Sequence, residues 1–82
     1  MVAIGRSRAK NQCEFSGCKH ALFEGGDGKP YCEVHHITPL SDGGLDVIEN
    51  VVCLCPSHHK EAHFGKNALE LKHMFQGLRT AD

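Results

Sequence analysis

Apolar positions recur in three stretches of this chain, each with its own spacing. Tyr31 to Thr38 sets Val34 and Ile37 among polar residues and reads as a strand. Pro39 and the SDGG of residues 41 to 44 end it, and a loop follows to Asn50. Val51 to Leu54 is apolar throughout and predicts a second short strand. Farther on, Ala68, Leu71, Phe75 and Leu78 recur at helical spacing, so residues 67 to 78 read as an amphipathic helix over the core. Between strand and helix, Pro56 stands at the favoured first position of another helix, with Lys60, Glu61 and Ala62 behind it and Gly65 as its stop. Residues 13 to 30 are turn-rich: CEFSGC suggests a knuckle-like loop, and GGDGKP is a hairpin signal. The order loop, strand, loop, strand, helix, helix predicts one small α+β domain. Its expected divisions are an arm over 1–12, a domain over 13–66 and a covering helix within 67–82.

Eighty-two residues give a core of marginal stability by itself, and nine glycines with no tryptophan make it smaller still. Five cysteines and seven histidines are the candidate staples. No apolar run reaches the length of a membrane span, and MVAIGRSRAK lacks a secretory h-region. A cytoplasmic protein is expected, with reduced thiols, and the odd cysteine count points the same way, toward metal rather than a disulfide scaffold. Net charge is −1 but uneven. Arg6, Arg8 and Lys10 make a basic arm able to touch phosphates, although a solvated, mobile tail is the simpler reading. Residues 14 to 49 are acidic, so charge alone does not indicate a nucleic-acid binder.

CPSHHKEAH, residues 55 to 63, carries the most chemistry. Helical residues three or four apart share a face, while neighbours are turned about 100° apart. Cys55 with His58, and His59 with His63, are therefore two pairs on different sides of one helix. Cys13 and Cys18 complete the first pair as a Cys3His set, a closed tetrahedral arrangement suited to a structural zinc. His20 or Cys32 could replace His58 in it. Cys53 and Cys32, in strands, read as small core residues. The second pair needs a third ligand, and one of His35 and His36 can supply it, leaving a coordination position open as catalytic sites do. The other, on the opposite strand face, is then available as a general base. His73 reads as an exposed polar residue.

EVHHITPLSDGG, Asn50 within ENVVCLCP, and SHHKEAH together resemble the HNH nucleases and their ββα-metal fold, over roughly residues 13 to 64. The resemblance implies a small α+β ββα-metal domain with a zinc knuckle and an additional C-terminal helix. It implies a metal-dependent DNA endonuclease of low sequence specificity, with His36 as general base and Asn50 tying down the loop that holds it. His35, His59 and His63 would hold one catalytic divalent ion (zinc, nickel, manganese or magnesium), and Cys13, Cys18, Cys55 and His58 one structural zinc. Many relatives carry Asp in place of His35, and cysteine is commoner in place of His58. DNA is the implied partner, with a homodimer or a larger DNA-processing complex open and no membrane. The alternative is a non-catalytic zinc module that binds nucleic acid, or a subunit of a larger machine.

Overall fold

The computed structural model describes residues 2–80, with side chains described over residues 4–79. Its sheet has two antiparallel strands, β1 over Glu33–His36 and β2 over Val51–Leu54. Helix α1 spans Val2–Arg8, α2 spans Pro56–Phe64 and α3 spans Ala68–Thr80. Two short 3-10 turns, Leu40–Asp42 and Ile48–Asn50, lie in the connection between the strands.

Pairing sets Glu33 opposite Leu54, Val34 opposite Cys53, His35 opposite Val52 and His36 opposite Val51. Side chains alternate along a strand, so Glu33, His35, Val52 and Leu54 share one face and Val34, His36, Val51 and Cys53 the other. On the first face Val52 and Leu54 join Ile37, Leu71 and Phe75 in the core cluster, with Phe15 and Met74 packed at its margin. All four residues of β2 are fully buried. A strand apolar at every position needs cover on both faces, and α3 covers only one.

Helix α1 covers the other. The N-terminal segment expected as a mobile basic tail is folded against the sheet instead. Gly5 is buried there, and a Cβ on it would meet Val34 Cγ2 at 3.3 Å and Val51 Cγ2 at 3.5 Å. The arginines bond to the chain itself. Arg6 Nε donates to Cys32 O at 3.1 Å, and the Arg8 guanidinium donates to Ile48 O and Val51 O. Glu14 ties three segments to β2. Its Oε2 accepts from Cys53 N at 2.8 Å, its Oε1 accepts from Arg79 at 2.7 Å, and Arg8 lies 3.9 Å from Oε2.

The first strand is shorter than the Tyr31–Thr38 that its pattern suggests. Tyr31 N donates to Phe23 O at 2.9 Å and so belongs to the hairpin around GGDGKP, where Glu24 and Pro30 form a bridge. At the other end Ile37 N reaches Asn50 O at 2.8 Å, but Thr38 N turns to the Asn50 side chain. Gly44 permits the tight turn that follows, since a Cβ there would sit 1.9 Å from Thr38 O.

The cysteine reading needs one correction. Cys32 and Cys53 are joined in a disulfide, Cα to Cα 6.0 Å, where free core thiols were expected. Cys53 faces Val34 across the ladder, so Cys32, two residues before Val34, is its diagonal neighbour on the α1 face. That separation lies in the range a disulfide spans.

Candidate metal centres and active site

Helix α2 begins where its sequence indicates. Cys55 caps it, its Sγ accepting from His58 N at 3.4 Å, and Pro56 occupies the first turn, where a missing N–H costs nothing. The cap orients Cys55 and His58 toward the knuckle. Cys13, Cys18, Cys55 and His58 bring their ligand atoms within 4.8 Å of one another. Individual separations are 3.6 Å for Cys13 Sγ to His58 Nδ1, 4.0 Å for Cys18 Sγ to Cys55 Sγ and 3.2 Å for Cys55 Sγ to His58 Nδ1. Zinc–sulfur and zinc–nitrogen bonds of ordinary length give tetrahedral edges of about 3.3–3.8 Å. The donors therefore fit a structural zinc.

His58 completes this set, with Phe15 stacked on its ring at 3.8 Å. His20 sits beside it, Nδ1 3.3 Å from Cys55 Sγ, and Cys32 is removed by its disulfide. Burial raises the Cys13 thiol to about 12 and lowers the His58 imidazole below its ordinary range. A metal bound here would displace thiol protons and meet an imidazole whose neutral form burial favours.

The second pair of α2 meets β1. His35, His59 and His63 place ring nitrogens within 4.8 Å of one another, and His35 is buried. Desolvation, reinforced by His59, His63 and His36, lowers the His35 imidazole to about 4. His63 is lowered by burial as well. Glu33 Oε1 lies 2.7 Å from His59 Nδ1, and Tyr31 Oη donates to Glu33 Oε2 at 2.8 Å. A carboxylate can only accept, so His59 carries its hydrogen on Nδ1 and turns the Nε2 lone pair away from Glu33. That lone pair points at His63 Nε2, 3.2 Å distant. Three ring nitrogens brought together in this way are a donor set for a divalent cation.

His36 faces the other way, as strand alternation requires, with Nε2 2.9 Å from Asp46 Oδ1. The Asn50 side chain closes the loop beneath it. Oδ1 accepts from Thr38 N at 2.9 Å, while Nδ2 donates to Thr38 O at 3.0 Å and to Leu45 O at 2.8 Å. A cleft of about 280 Å³ beside Leu40 is bordered by His35, His36, His59 and His63 together. The structure brings together Cys13, Cys18, Cys55 and His58 in one cluster and His35, His59 and His63 in another, with His36 bordering the same cleft as the second. Glu33 and Asp46 were missed. Strand periodicity puts Glu33 on the face of His35 and could have found it; nothing periodic marks Asp46, which lies in a loop.

Comparison with known proteins gives this geometry a context. A family model described as HNH endonuclease matches residues 13–65. The chain is 52% identical over 67 residues to the type IV methyl-directed restriction enzyme EcoKMcrA of Escherichia coli (strain K12), a match covering 82% of this chain and 24% of that enzyme. A shorter match, 42% identical over 37 residues, is to anaredoxin of Nostoc sp. and covers 45% of this chain and 49% of anaredoxin. Among solved structures, the type IV phosphorothioation-dependent restriction endonuclease ScoMcrA superposes with a TM-score of 0.83 at 29% identity, over 92% of this chain and 15% of that one. The chain spans only a small part of either restriction enzyme. With two strands, a following helix, a Cys3His knuckle and a matching family model over most of its length, this chain belongs to the HNH endonuclease family.

Proposed function

We propose that this domain is a metal-dependent endonuclease that hydrolyses DNA phosphodiester bonds with little sequence preference of its own. The observation that carries this reading is the cleft in which three converging imidazoles adjoin a fourth, His36, turned to the opposite strand face. His35, His59 and His63 would hold one divalent ion. Such an ion would supply positive charge to stabilise the negative charge that develops on the phosphate and leaving group. His36 takes the proton of the attacking water as the phosphorus–O3′ bond breaks. Asn50 fixes the strand end and the loop around His36 through its bonds to Thr38 and Leu45. Three nitrogen donors with no carboxylate favour Zn²⁺, Ni²⁺ or Mn²⁺ over Mg²⁺. The zinc knuckle staples the fold and takes no part in hydrolysis. By analogy with EcoKMcrA, the substrate is DNA in a bacterial cytoplasm.

Nicking of supercoiled plasmid tests this. Chelator-stripped protein, given each ion in turn, is expected to produce open circles with a transition ion, and His36→Ala to lose that activity by about 100-fold or more. Equal activity in both proteins would refute His36 as the base. No cutting by folded, zinc-loaded protein with any ion would leave a nucleic-acid-binding module or a subunit requiring its partner.

A further inference from the structure

The proposed base has two ring nitrogens, and only one can accept a proton from water while the ring is neutral. Its Nε2 lies 2.9 Å from Asp46 Oδ1. The carboxylate accepts only, so Nε2 bears the hydrogen and Nδ1 keeps its lone pair. The loop bearing Asp46 is itself fixed. Asn50 Nδ2 donates both to Thr38 O, two residues beyond His36, and to Leu45 O, the residue before Asp46. One amide therefore sets the spacing between the end of β1 and the carboxylate that meets its last residue.

We propose that Asp46 is the positioning residue of the reaction, holding the His36 ring in one orientation with Nδ1 presented as the proton acceptor. This rests on the reading of His36 as general base. It also assigns the Asn50 clamp a second consequence: it delivers Asp46 as well as restraining the strand. The Asp46 side chain is 59% exposed, and an exposed carboxylate beside a cleft for DNA repels phosphate. A merely structural Asp46 and a positioning one then predict different kinetics.

Asp46→Ala, in the full chain loaded with zinc, is expected to lower kcat for plasmid nicking by about 10- to 100-fold, with KM unchanged or reduced. Nitrogen and proton NMR of the His36 ring at about pH 8, above the ordinary imidazole range, gives a readout independent of cutting. Wild type is expected to show a resolved, downfield Nε2–H proton, and Asp46→Ala an exchanging ring without one. Metal content and circular dichroism check that the variant is folded. An unchanged Nε2–H signal and unchanged kcat in Asp46→Ala would overturn the proposal, while loss of cutting in His36→Ala would leave the nuclease reading intact. Full cutting by His36→Ala would instead remove the base reading and this role with it. If the wild type cuts nothing, the NMR signal alone decides whether Asp46 sets the ring.

Discussion

Glu33 stands two residues ahead of His35 on one strand face and hands its carboxylate to His59 at 2.7 Å. Its carboxyl is held below the ordinary carboxylate range first by that bond to His59 and then by Tyr31, so it is an anion at neutral pH. An anionic acceptor at Nδ1 fixes the tautomer of His59 and makes Nε2 a better donor to a cation. Glu33→Ala is therefore expected to weaken binding of the ion at His35, His59 and His63 by about 10- to 100-fold, while the knuckle site is untouched. Zinc titration of stripped protein, followed by calorimetry, resolves the two sites; unchanged affinity at the weaker one would exclude the role. At this scale the histidines were legible because helix and strand periods leave each of them few places to point. Asp46 was not. Its partner is chosen by the Asn50 clamp, a contact that no local spacing encodes.

Among the elements, β2 was legible from four consecutive apolar residues, and α3 from its helical repeat. Helix α1 was hidden because VAIGRSR has no stripe of large apolar residues. Its contribution is close approach at Gly5, which a hydropathy pattern scores as nothing. The arginines misled for a related reason. Read as charges they suggest phosphate or solvent, whereas Arg6 and Arg8 satisfy main-chain carbonyls around β1 and β2. Gly5→Leu tests the packing directly. Even the first carbon would press on Val34, and the remaining atoms must displace α1 from the sheet. The expected loss is about 1–3 kcal/mol, read as a lower melting midpoint. A midpoint equal to wild type would mean that α1 adds nothing to the fold.

At the scale of the whole molecule, the odd cysteine count points to metal, and the Cys3His cluster agrees, but it does not exclude a disulfide beside it. Three thiols belong to the knuckle and two to the Cys32–Cys53 bond, so an odd total accommodates metal and disulfide together. Both staples leave the burial of His35, His58 and His63 as a cost of folding when no ion is present. His35 is neutral in the folded chain down to about 4 but takes a proton near its ordinary value of 6.5 once unfolded. Between those limits the unfolded state binds more protons, so stability falls as pH falls from 6.5 toward 4; below 4 both states are protonated and His35 adds no further loss. His58 and His63, also lowered by burial, act in the same direction. Glu33, its carboxyl depressed from 4.5, adds its own loss as pH falls below that value toward its lowered folded one. The ceiling for His35 alone is about 3 kcal/mol. Chelator-treated protein is thus expected to melt at progressively lower temperature as the buffer moves from neutral toward pH 4, and His35→Asn to show a shallower fall. A melting midpoint that stays level across that window in wild type would mean that the three imidazoles are hydrated enough to protonate without unfolding.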